Sequence, residues 1–324
     1  MANTDIRSGI KSCVKRALAK MARPGHAPIE HKLDRVLTQL NTLPEQVARK
    51  VDHTQAERIG SVWRGGLEGR CIGIDGKPDP IATDRTRQEL QYWVDVARDS
   101  GNPDGEFPDG LEKTFLWWQE IRLYELARAL EFLAQDAESI EDVKPNQGLL
   151  VGLEHGKPIV GPMAQWLRTK RVVEIGGGPI PCVAAARFAS AHIVDPLAEG
   201  YLTEGLVTEK AAHATWLSAV GEMIPLPSQS TDLVLTDNCL DHVRDPARVV
   251  GEMARILVPG GFLWLLVDVM EEADQLHPNP MDDAAATRML TAANLERLWG
   301  EVWPGHSHPR ARGQWRTLWR KPVS

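Results

Sequence analysis

Residues 171–196 read RVVEIGGGPIPCVAAARFASAHIVDP, and this stretch decides the fold. Arg171 to Ile175 is a short run of strand-favouring residues that passes directly into Gly176-Gly177-Gly178-Pro179. The following CVAAARFA suits a helix, and Ala191 to Val194 forms a second apolar run ending at Asp195. Strand, glycine turn, helical segment and strand make one unit of a parallel sheet. Ligands of such sheets sit at the carboxyl ends of the strands. Glycine there lets the backbone approach a nucleoside where a Cβ would collide. Asp195 stands where an acidic residue accepts hydrogen bonds from ribose hydroxyls.

Working outward, short apolar runs alternate with helical segments from about Pro145 onward, the texture of strands joined by crossover helices. A third strand is expected near Trp216 to Val220, a fourth at Asp232 to Thr236 and a fifth at Gly261 to Val269. In the tail, HSHPR at 306–310 and QWRTLWRK at 314–321 are two extended segments expected to close the sheet as an antiparallel pair. The fold class is α/β: a Rossmann-like, doubly wound, mostly parallel seven-stranded sheet with an antiparallel last strand, preceded by a helical N-terminal region. A dinucleotide is disfavoured, because Pro181 stands where Gly-x-Gly-x-x-Gly requires its third glycine.

Three blocks together carry a resemblance. Glu174-Ile175-Gly176-Gly177-Gly178 has the pattern acidic, spacer, Gly-x-Gly; Val194-Asp195-Pro196 follows; and residues 230–265 read STDLVLTDNCLDHVRDPARVVGEMARILVPGGFLWL. Between residues 170 and 270 the chain resembles the class I S-adenosylmethionine-dependent methyltransferases, in particular their type 11 branch. The resemblance implies S-adenosylmethionine as cofactor and S-adenosylhomocysteine as product. It also implies a cofactor site built from Glu174, Gly176, Gly177, Gly178, Asp195 and Pro196, with Asp237 and Asn238 beside the methionine portion. Gly260 and Gly261 are turn residues in that family and not ligands. One departure concerns the adenine edge: Val220 stands where relatives carry an aspartate, and Gly221 and Glu222 are the substitutes.

Methyl transfer from a sulfonium is an in-line displacement, so the protein aligns donor and acceptor and removes a proton from a hydroxyl acceptor. His242, in the segment after strand four, and His277, in the loop QLHPNPMDD after strand five, are the two candidate bases, with Asp241 counted beside them. A packing or capping role for His242 is the bland alternative. Asp237, Asp241, Asp268 and His277 could instead surround a divalent ion, but no fixed ligand spacing supports it, and no metal is assigned. Trp117, Trp118 and Tyr124 are the acceptor-pocket candidates, chosen by position in the chain.

The remaining features bound the function. The net charge of −7 argues against general nucleic-acid binding, and no Asn-Pro-Pro-Tyr or Asp-Pro-Pro-Tyr motif occurs where Thr236-Asp237-Asn238-Cys239 stands. Four scattered cysteines form no CxxC pair, which suits a reducing cytoplasm. Residues 6–21 have the spacing of a basic amphipathic helix, which could touch an anionic membrane face or pack on protein. An apolar stripe at 33–43 could pair with a second copy in a homodimer. Helices are expected at 84–97 and 111–133. The expected division is 1–64 amphipathic, 65–145 helical and substrate-facing, and 146–324 cofactor-binding. A further resemblance, to bacterial methyltransferases of surface polysaccharides, rests on DNCLDHVRDP and VDPLAEGY. It implies a sugar or other small hydroxylated acceptor. Eleven tryptophans against five phenylalanines read first as core packing and only second as stacking surfaces.

Overall fold

A computed structural model describes residues 80–99, 109–136, 141–207, 209–274, 277–304 and 310–323. The segments 6–21 and 33–43 and most of HSHPR lie outside these residues. Two helices precede the sheet, α1 (Pro80–Asp99) and α2 (Asp109–Gln135), enclosing the two periodic segments read from the sequence. On α2, Leu123, Leu126, Ala127, Leu130 and Ala134 recur every three or four residues and are all buried.

The seven strands are β1 (Arg171–Ile175), β2 (Ser190–Val194), β3 (Thr215–Leu217), β4 (Thr231–Asp237), β5 (Leu257–Asp268), β6 (Glu296–Trp303) and β7 (Gln314–Arg320), in the order β3-β2-β1-β4-β5-β7-β6. The strands β1 to β5 pair in parallel, and β7 runs antiparallel to both β5 and β6. The helices of the second half are α3 (Gly161–Leu167), α4 (Ala198–Thr203), α5 (Pro246–Ile256) and α6 (Asp283–Ala292). α5 begins where Pro246 follows Asp245, whose side chain accepts the Arg248 N–H.

Four elements differ from the sequence reading, the fifth strand among them, since it begins at Leu257 and takes in Pro259-Gly260-Gly261. The segment after β1 is a single 3-10 turn at Cys182–Ala185, because Ala186 is already extended, and α2 packs over it in the same core. The third strand is only three residues long and begins one residue earlier. The partner of β7 is ERLWGEVW at Glu296–Trp303, upstream of HSHPR, with Trp299 opposite Leu318 and Val302 opposite Trp315. That strand shifts register between Arg297 and Trp299, so its apolar residues do not alternate and the period-2 signal is lost.

Alternation within the central strands sorts the core into two layers. Val173, Ile175, Val234, Leu263, Leu265 and Trp315 face α5 and α6, whereas Val172, Leu233, Leu235, Trp264 and Leu318 face α2 and α3. The tryptophans described here serve this packing first: Trp264, Trp315 and Trp319 are buried, and Trp264 stacks on Trp299 at 5.9 Å between ring centres. Because α2 shares its layer with β1, β4 and β5, the core crosses the expected boundary at residue 145.

Candidate active site

Every element that the sequence marks for cofactor binding meets at the carboxyl end of the sheet. Gly176 and Gly178 have positive φ, +66° and +62°, which bends the chain sharply off β1. A Cβ on Gly176 would collide with the Cys239 sulfur, so its bareness serves the packing of the loop after β4. Glu174 is buried on the α2 side of β1, and its two oxygens accept the N–H groups of Cys182 at 2.8 Å and Val183 at 2.9 Å. It therefore fastens the far end of the glycine turn. Burial pushes its carboxyl up to about 7, against the lowering effect of those two N–H groups.

Asp195 follows β2, with Oδ2 accepting the Gly178 N–H at 3.1 Å and Oδ1 accepting the Leu197 N–H at 2.8 Å. Burial raises it to about 6, again opposed by its N–H donors. A carboxylate offers roughly four acceptor positions, so the two backbone donors leave room on Asp195 for further donors. A side-chain-free turn beside a buried carboxylate fits the nucleoside half of S-adenosylmethionine. Pro196 is exposed, and its carbonyl accepts from Ser218 Oγ.

At the end of β4, Asp237 Oδ2 accepts from Arg122 Nε of α2 at 2.6 Å. Asn238 sits at φ +52°, where its side chain spans to β5: its Oδ1 accepts the Asp268 N–H at 2.8 Å and its Nδ2 donates to Asp268 Oδ2. Asparagine tolerates that backbone region better than most residues. Gly221 is buried against Val249 and Ile175. Glu222 Oε1 accepts the N–H groups of Arg244 and Asp245, which anchors the loop before α5.

The three catalytic candidates converge. Asp241 and His242 leave β4, His277 arrives from the loop after β5, and one ligand-type atom from each lies within 4.8 Å of the others. The imidazole centres are 4.4 Å apart, and His242 Nε2 is 3.8 Å from Asp241 Oδ2. Burial raises Asp241 to about 7, with His277 acting the other way. Asn279 ties the two loops together, its N–H donating to the Asp241 carbonyl. Of the acceptor-pocket candidates, Tyr124 packs edge-on to His155 and joins the core beneath α2. The side chains of Trp117 and Trp118 lie outside the described residues.

Arg122, Glu125, Arg316, Trp93 and Leu90 were not read from the sequence as part of the site. Arg122 and Glu125 are buried charges on the apolar face of α2, and Arg316 of β7 ion-pairs with Glu125. Their signal is charge at core positions in QEIRLYELARALEFL. Trp93 of α1 lies against Gly178, with its ring 3.6 Å from where a Cβ would stand, and Leu90 packs on Gly200. α1 thus borders the glycine turn.

Residues 173–265 match a family described as a methyltransferase domain. An uncharacterized methyltransferase of Mycobacterium tuberculosis is 34% identical over 143 residues, covering 41% of this chain and 56% of that protein. Another, of Mycobacteroides abscessus, is 33% identical over 103 residues, covering 31% and 40%. The chain thus covers about half the length of these curated relatives. Among solved structures, an S-adenosylmethionine-dependent methyltransferase from Mesorhizobium loti is 15% identical, with a TM-score of 0.38 over 49% of this chain and 96% of that one. The [4+2]-cyclase SpnF is 19% identical, with a TM-score of 0.38 over 50% and 81%. The family match spans the glycine turn, the acidic residue after β2 and the whole of β4, so residues 173–265 match a methyltransferase domain.

Proposed function

We propose that this protein transfers a methyl group from S-adenosylmethionine to a small hydroxylated acceptor, a sugar or natural-product hydroxyl. The observation that carries the reading is the meeting of Asp241, His242 and His277 at the sheet end that holds the glycine turn and Asp195. When bound, S-adenosylmethionine supplies an electrophilic methyl on a sulfonium, whose sulfur leaves as the thioether of S-adenosylhomocysteine.

The residues divide the remaining work. Asp195 would hold the ribose through charge-assisted hydrogen bonds, while Asp237 and Asn238 border the methionine end. A hydroxyl acceptor must lose its proton as the new O–C bond forms, and the imidazole and carboxylate cluster is the place for that loss. An amine acceptor needs less help from a base, so N-methylation of a small amine is the nearest alternative. A protein that binds the cofactor without transferring is the other.

The test begins with calorimetric titration of the purified chain with S-adenosylmethionine and S-adenosylhomocysteine, with NAD as control. Micromolar binding of the first two alone supports the reading. Radiolabelled methyl transfer to a panel of sugars, phenols and amines then separates hydroxyl from amine acceptors. Failure to bind either sulfur compound overturns the proposal, and binding without transfer to any class favours the non-catalytic alternative. Among the described residues no helix is long and apolar enough to cross a membrane.

A further inference from the structure

Asp241 is 1% exposed, and neither of its carboxylate oxygens has a hydrogen-bond partner. Buried carboxylates are ordinarily paired or hydrogen-bonded, since burying one alone is costly. Two imidazoles stand close to it, with the carboxylates of Asp268 and Asp274 also near: His242 Nε2 is 3.8 Å away, and one ligand-type atom of each of Asp241, His242 and His277 falls within 4.8 Å of the rest. Tetrahedral zinc sites, with bonds near 2.1 Å, set their ligand atoms about 3.4 Å apart. Closing on an ion therefore needs a contraction of at most about 1.4 Å, within the reach of side-chain torsions.

His277 is already held as a metal-bound imidazole is held. Its Nδ1 hydrogen-bonds Asp274 Oδ1 at 2.8 Å, and the same oxygen accepts the His277 backbone N–H at 2.7 Å. A carboxylate behind one ring nitrogen fixes the tautomer and directs the other nitrogen outward. Arg310 pairs with the second oxygen of Asp274. The supporting loop is itself fixed, because Asn279 donates to the Asp241 carbonyl and the Met270 N–H to that of Met281.

We infer that Asp241, His242 and His277 form a binding site for a divalent transition-metal ion. Two imidazoles and one carboxylate are the donor set of zinc and its neighbours, whereas magnesium and calcium prefer oxygen alone. Three protein ligands leave a coordination position open. This inference rests on the methyl-transfer reading only for its chemical role: an acceptor hydroxyl in the open position is acidified and loses its proton to solvent. Both histidines then act as ligands and neither as a base.

The experiment uses the full chain after chelator treatment, titrated with Zn²⁺ alone by calorimetry and with Co²⁺ by visible absorption. One ion per chain and intense Co²⁺ bands of low-coordinate geometry are expected. Asp241→Asn and His277→Gln should each weaken Zn²⁺ binding about tenfold or more, a loss of the size that follows when only the groups hydrogen-bonded to metal ligands are removed. The double variant His306→Gln/His308→Gln should bind as the parent does. Absence of saturable uptake, or uptake lost in the His306/His308 variant and kept in folded Asp241→Asn, overturns the site. Should Asp241→Asn fail to fold, the Co²⁺ spectrum of the parent decides, since a spectrum like that of the hydrated ion rules the site out. S-adenosylmethionine titrated into the metal-free sample reads the functional proposal separately.

Discussion

Arg122 of α2 donates to Asp237 of β4 over 2.6 Å, joining two residues 115 positions apart. The guanidinium is nearly inaccessible, and Glu125 lies on its other side, with Nη1 3.7 Å from Glu125 Oε2. Burial disfavours its charge, yet Asp237 and Glu125 raise its pKa overall. The position of Asp237 at the methionine end of the proposed cofactor site is thus set by a helix outside the family match.

Arg122→Gln removes the cation shared by Asp237 and Glu125, and among the described residues only Glu125 keeps an ion-pair partner, Arg316. Because Asp237 is partly open to water, the expected loss is about 2–3 kcal/mol, below the cost of a fully buried break. Urea denaturation should show a lower midpoint with an unchanged slope. A midpoint equal to that of the parent would make the pair a surface contact.

Gly176→Ala places a Cβ against the Cys239 sulfur, 2.6 Å from its Cβ, at a φ of +66°. The strained backbone and the collision together should cost about 2–4 kcal/mol. Cys239→Ala removes the sulfur but not the Cβ contact or the positive φ, so the double variant should recover only part of the loss. A double-mutant cycle in thermal unfolding measures it, and strict additivity would deny the contact.

Cofactor affinity should fall on acidification through Asp195. Its carboxyl is raised from the ordinary 3.8 to about 6, so the ionised form that accepts ribose hydroxyls is lost as pH drops below about 6. Affinity for S-adenosylhomocysteine should then decline by up to about tenfold per pH unit. Asp195→Asn should bind weakly with a flat profile over the same range. A sloping profile in that variant would assign the titration to another group.

Glu174 makes the opposite kind of pH statement. Raised from the ordinary 4.5 to about 7, it contributes stability that is fully present below pH 4.5 and lost as pH rises through 7. Relative to Glu174→Gln, which does not titrate, the parent should lose about 3 kcal/mol across that window. Denaturation of both proteins at pH 4.5, 6 and 8 reads the difference. A gap independent of pH would mean that Glu174 is ionised throughout, held so by the Cys182 and Val183 N–H groups.

What the sequence determined by itself was local. The strand before Gly176, the acidic residue after β2 and the proline-glycine-glycine segment of β5 each declare themselves within a few residues. Backbone conformation, strand propensity and turn chemistry act at that range. From them come the fold class, the cofactor end of the sheet and the identity of Glu174 and Asp195, although not the task of Glu174 in fastening the turn. Tertiary structure alone decided the rest. Nothing near Arg122 announces Asp237, and nothing near Gly176 announces Cys239. β6 was hidden because its register shift breaks the alternation by which a strand is read, and only pairing with β7 fixes it. Asp241 and His242 meet His277 only when β4 and β5 lie side by side and Asn279 draws the two loops together. Contacts between distant segments exist only after the chain has buried its apolar faces, so their partners leave no mark in the neighbouring sequence.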